Sequence, residues 1–215
     1  MHQLLKHSGG GALKRIIYSF LLSVLICGTA FSQFSGQLST AGTLPGGSSL
    51  AGIYAGIYDD AIGVLGQYRY GLGGYTDLGF KLGLLDLDWR GSDAGVDLAF
   101  DLTYQIMEMR MRDPFELSIG GCAEVLIAED VNVFSLGFAP IGSYPINLKN
   151  GRVLEPYGRL QMRVERWDSD RHDDTEFQLG FNMGAAFELS NSVRAFGEFQ
   201  FDDQFGFFLG AEFGL

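Results

Sequence analysis

Residues 205–215 read FGFFLGAEFGL. Phe205, Phe207, Leu209, Ala211, Phe213 and Leu215 share one parity, while Gly206, Gly210, Glu212 and Gly214 share the other. A period of two with one apolar face and one small or polar face is a strand pattern. No helical pattern follows to cover the apolar face, so lipid is the expected cover. Closure against the first strand of a barrel is the expected fate of the edge.

Working back from this strand, similar runs of about nine to twelve residues recur, the length that crosses a bilayer as a tilted strand. Ten are read: Ser49–Tyr58, Ile62–Tyr70, Thr76–Leu85, Val96–Ile106, Phe115–Ile127, Val131–Ile141, Tyr157–Trp167, Phe177–Leu189, Val193–Phe201 and Phe205–Leu215. In Phe177–Leu189 the odd positions hold Phe177, Leu179, Phe181, Met183, Ala185, Phe187 and Leu189. On a helix these would surround the whole circumference, so strand is the reading. The first run is apolar and small on both faces. In the sixth, Phe134 and Ser135 break the alternation and Pro140 removes a donor, so a bulge or an early end is expected. The predicted fold is all-β: a transmembrane antiparallel barrel of about ten strands over residues 49–215, eight or twelve being the alternatives.

An even strand number puts both termini on the periplasmic side. The connections assigned to the outer side, DD, DLDWRGSDAG, AED, DSDRHDDTE and DDQ, are then all acidic.

Composition agrees. Glycine is abundant (31 residues), proline scarce (5) and phenylalanine high (18), a mixture costly for helices and suited to a tight barrel. Lys6, Lys14 and Arg15 precede the apolar run Ile16–Ala30, which is short for a spanning helix and suits an export signal, so residues 1–32 are read as a signal peptide cleaved after Ser32, with cleavage after Ala30 or a retained membrane anchor as the alternatives. Its removal leaves 12 of 15 basic side chains against 26 acidic ones, a formal charge of −14, which argues against nucleic acid as a partner. Only Cys122 then remains, which excludes an intrachain disulfide and a cysteine zinc cage; no cofactor or metal centre is expected. Residues 33–48, polar, glycine-rich and without period, are read as a flexible periplasmic lead, with a small plug as the alternative.

The parity facing away from lipid gives a lumen of both charge signs: Arg69, Lys81, Asp97, Asp101, Glu116, Glu124, Arg159, Arg163, Glu165, Arg194, Glu198 and Glu212. These either line a polar pore or form a packed ion-pair network. In barrels of eight to ten strands side chains largely fill the interior, so a mostly filled lumen is expected. Inward glycines opposite Phe196 and Phe208 would let rings lie against backbone. Tyr58, Tyr68, Tyr70, Tyr75, Tyr104, Tyr157, Trp89 and Trp167 read as interface girdles. Asp59, Asp60, Asp173, Asp174, Asp202 and Asp203 offer oxygen ligands for divalent cations at the outer loops.

Leader, alternating strands and apolar final strand together resemble the small bacterial outer-membrane β-barrel proteins, porin-like ones included. The resemblance implies an integral outer-membrane protein surrounded by lipid. The end of the chain, with Gly210, Phe213 and Leu215, resembles a barrel-assembly signal, which implies recognition by the assembly machinery. A narrower resemblance is to the omptin proteases. Asp86-Leu87-Asp88 and Asp170-Arg171-His172 match their paired motifs, which implies a histidine-activated water placed by Asp86 and Asp88.

Overall fold

A computed structural model of the chain describes residues 38–58, 61–87, 94–129, 131–169, 172–202 and 205–215. Ten long strands run through them: β1 Ser49–Tyr58, β2 Ala61–Gly73, β3 Thr76–Leu87, β4 Ala94–Met107, β5 Glu116–Ile127, β6 Val131–Ser143, β7 Val153–Ser169, β8 His172–Ser190, β9 Val193–Phe201 and β10 Phe205–Gly214. Each pairs antiparallel with its sequence neighbours, and β1 pairs with β10, so the sheet closes on itself. A two-residue ladder of Ile146–Asn147 against Val153–Leu154 and a 3-10 turn at Met109–Met111 lie at the inner end, where β1 begins and β10 finishes.

The closing seam is in one register from Leu50 opposite Gly214 to Tyr58 opposite Gly206. The Leu215 amide adds a hydrogen bond to the Ser49 carbonyl at 3.0 Å. Register gives β1 its faces despite its uniform composition. Ile53 and Ile57 point outward, and Tyr54 and Tyr58 point in.

The expected bulge or early end in the sixth strand is corrected. β6 continues to Ser143 and holds one register against β5, with Pro140 opposite Ile119. Its ladder to β7 omits Ala139 and Pro140 but resumes unchanged at Ile141 opposite Arg159. The missing donor of Pro140 therefore thins one ladder locally without slipping it. β7 and β8 are longer than predicted, pairing as far as Ser169 opposite His172.

Alternation sorts the wall. Ile57, Val64, Phe80, Leu82, Leu84, Phe177, Leu179 and Leu209 all face outward and are exposed. An apolar surface continuous around a closed sheet requires lipid, where the backbone is already satisfied by the ladder. Tyr68, Tyr70, Tyr75 and Tyr104 mark the inner end of this belt along β2–β4. The rings of Phe199, Phe201, Phe205 and Phe207 pack together on the outer face of β9 and β10. Three expected girdle residues instead lie on the inward parity: Tyr58 and Tyr157 are buried and Trp167 is half-buried, while Trp89 lies outside the described residues.

Two inward glycines accept aromatic rings. A Cβ on Gly56 would meet the Phe208 ring at 2.7 Å, and one on Gly210 would overlap both the Tyr54 ring and the Ile53 carbonyl. The second collision is with backbone, so rotation of the ring cannot relieve it. Gly210→Ala is expected to cost about 1–3 kcal/mol in urea unfolding. Gly66→Ala, on the exposed outward face with only a carbonyl 3.9 Å away, should be close to neutral.

Candidate functional site: the lumen and its inner vestibule

Inward parity brings polar side chains from nearly every strand into one narrow space, where most are cut off from bulk water. Burial is tolerable only if charges find partners. At the inner end Arg69 Nη2 donates to both oxygens of Asp77 at 2.7 and 2.6 Å. Arg194 Nε donates to Glu212 Oε2 at 2.9 Å, and the Tyr54 hydroxyl donates to Glu212 Oε1 at 2.8 Å. Gln105 Nε2 donates to Glu116 Oε2 at 2.7 Å, and Ser143 Oγ to Glu155 Oε1 at 2.7 Å.

Midway, Lys81 Nζ lies 3.2 Å from Asp101 Oδ2. Across the lumen Glu198 is a hub. It accepts from Arg159 Nη2, Asn182 Nδ2 and Gln200 Nε2, each at 2.8 Å, and from the Tyr157 hydroxyl. Further out, Arg163 bridges Glu165 and Asp202, with Nη1 2.9 Å from Asp202 Oδ2.

Of the twelve charged residues assigned to the lumen from sequence, Arg69, Lys81, Asp97, Asp101, Glu124, Arg159, Arg163, Glu165, Glu198 and Glu212 are buried inside. Glu116 and Arg194 sit half-buried at the inner mouth. Sequence reasoning missed Asp77, Glu155, Asp202 and the phenols of Tyr54 and Tyr157. It also missed an apolar tier. Leu65, Leu85, Leu87, Leu126, Val131 and Val133 point inward at the outer end and are buried. Runs such as Leu82-Gly83-Leu84-Leu85 are apolar on both parities, so they carry no sign of which leucine faces in.

The stretch read as a lead is described from residue 38 onward, and there it lies within the barrel. Leu38, Ser39, Thr40 and Ala41 are buried. Thr43 N and Oγ1 both donate to Gln105 Oε1, at 3.0 and 2.9 Å, and Leu44 N donates to Asp77 Oδ2 at 2.9 Å. Ala41 N donates to Ser143 Oγ at 3.3 Å. Below this segment an inner vestibule of about 840 Å³ opens, lined among others by Glu108, Glu116, Glu155, Glu188, Arg69 and Arg194.

Of the omptin-like quartet only the Asp86 side chain is among the described residues. Asp86 is exposed on the outward face, paired with Ile62 and Ala94. Asp88, Asp170 and the His172 side chain lie outside the described residues. Among the described residues no group of three His, Cys, Asp or Glu is placed to hold a metal ion. Asp202, read as a loop ligand, instead turns inward to Arg163. Asp174 is exposed near the outer end, and Asp59, Asp60, Asp203 and the side chain of Asp173 lie outside the described residues. In the terminal strand, Gly210 sits beneath Tyr54 while Phe213 and Leu215 are exposed.

No protein-family model and no curated protein matches this sequence. Solved structures similar to it include the β-domain of the Bordetella autotransporter BrkA, at 14% identity and TM-score 0.48, covering 79% of this chain and 100% of that one. An outer-membrane channel from Pseudomonas putida F1 gives 11% identity and TM-score 0.45, covering 86% and 100%. The KdgM porin gives 6% identity and TM-score 0.43, covering 77% and 99%. By its own wall, apolar outward all round and charged within, the chain is a closed ten-stranded β-barrel of the outer-membrane type.

Proposed function

We propose that the protein is an integral outer-membrane, porin-like barrel with a narrow, cation-preferring path. One observation carries this reading: paired charges of both signs continue through the lumen from Arg69–Asp77 to Arg163–Asp202, and buried carboxylates outnumber buried cations. Charged rings favour small cations, and an interior filled by side chains keeps the path narrow. Residues 1–32 belong to this reading as an export leader. So do assembly through Gly210, Phe213 and Leu215, and divalent cations at the acidic outer loops.

Planar-bilayer recording tests it. The expected result is brief, small steps whose reversal potential under a salt gradient reports cation preference. Long recordings without steps would sink the conducting role and leave a purely structural barrel. The same preparation should migrate differently on a gel before and after boiling.

A further inference from the structure

Residues 38–44 differ from every other described segment inside the barrel, because they belong to no strand. Each hydrogen bond they make to the wall involves a wall side chain: Asp77 on β3, Gln105 on β4, Ser143 on β6 and Arg159 on β7. These partners fall on two separate arcs of the wall, β3–β4 and β6–β7, so the segment crosses the lumen between them rather than following one strand. It is seated as a ligand is seated, by side chains pointing at its backbone.

The seat is imperfect. Arg159 Nη2 reaches the Ser39 carbonyl only at 3.5 Å. At the same contact Ser39 Oγ, Arg159 Nε and Arg159 Nη1 are buried and have no protein hydrogen-bond partner among the described residues. Buried polar groups left unpaired lower the stability of the arrangement that buries them, and water entering on release would satisfy all three. A pivot lies next to the segment. Gly47 has φ +82°, a left-handed backbone, and open space around its Cα, while the Gly47 amide is tied to the Gly71 carbonyl at 2.8 Å. Residues upstream of the tie can swing while β1 stays in the sheet. The space they would vacate joins the vestibule, whose lining already includes Thr40, Gly42, Thr43 and Leu44. Release would uncover Asp77, Glu116 and Arg159 to solvent.

We propose that residues 38–44 are a displaceable plug, and that its withdrawal toward the inner end opens the cation-preferring path. This rests on the porin-like reading above and names what regulates it. The plug is closed by five backbone and hydroxyl contacts and by burial of Leu38 and Ala41. Its weak point is the unsatisfied polar contact at Ser39 and Arg159.

The test uses the full chain with Cys27→Ser and Cys122→Ser as parent. Leu38→Glu with Ala41→Glu alters only the plug, so barrel folding is preserved and gel mobility before and after boiling verifies it. Two added carboxylates bring more negative charge than Arg159, already paired with Glu198, can hold in that seat, and open time should rise at least about tenfold. Ala41→Cys with Ser143→Cys, adjacent through the Ala41 amide, should lock the plug when oxidised, lower open time at least about tenfold, and recover with reductant. Ala41→Cys alone should react with a membrane-impermeant maleimide in the folded barrel, more slowly than in urea. The proposal is overturned if the folded double-glutamate chain conducts no more than the parent, or if Ala41→Cys reacts only in urea. If the parent conducts and neither plug variant changes it, the plug fails while the porin-like reading stands. If no chain conducts, both fail.

Discussion

Replacing Glu198 by alanine is expected to lower the unfolding free energy of the barrel by about 3–5 kcal/mol, among the largest effects available from one side chain. Glu198 holds four donors at once, and both it and Arg159 are fully buried. Deletion of the carboxylate strands the Arg159 guanidinium in a space where water is scarce, and removes the acceptor of Tyr157, Asn182 and Gln200. The cost is that of an uncompensated buried charge rather than of one ion pair. Arg159→Met with Glu198→Leu should therefore recover the part of the loss owed to the stranded guanidinium, because an apolar pair needs no solvation, while Tyr157, Asn182 and Gln200 stay without that acceptor. Urea titration of protein refolded into detergent or vesicles, comparing the unaltered chain, Glu198→Leu, Arg159→Met and the two combined, measures this. Simple additivity of the two single losses would refute the pairing.

The second large effect lies one peptide away from another ion pair. Lys81 points inward to Asp101, and Leu82 points outward and is half exposed near the middle of β3. Leu82→Arg places a charge against the centre of the lipid belt and should cost about 2–4 kcal/mol when folding into vesicles is measured. The same substitution in Tyr75, at the inner margin of the belt, should cost about 0–1 kcal/mol, because an arginine there reaches headgroups. Equal penalties at the two sites would mean that the outward face is not graded by membrane depth.

These contrasts rest on what alternation makes legible. A period of two fixes which side chains share a face, so the strands, the even count and the inward positions of Arg69, Lys81, Arg159 and Arg163 could be read before any coordinates. Alternation does not say how far a strand continues once both faces turn polar. β8 runs back to His172 through Asp173, Asp174 and Thr175, where the sequence has only loop character. Nor does it say which face is inward where both are apolar, as at Leu84 and Leu85. Tyr58 and Tyr157 were misassigned for a related reason: a tyrosine near a strand end suits the membrane interface by type, but parity sends these two inside. Least legible was Leu38–Ala41. Its order comes from Asp77, Gln105, Ser143 and Arg159, contributed by four strands, and no local pattern announces such partners.

The seam between β1 and β10 joins Leu50 to Gly214, residues that lie near opposite ends of the described chain. Every other ladder joins neighbours in sequence through a hairpin. Loop-closure entropy and contact order therefore place the seam late in folding, after the nine hairpin ladders have formed. Residues 38–44 lead directly into β1. The step that completes the wall is thus also the step that shuts them inside, and the rate of closure sets the time available for that segment to find its seat.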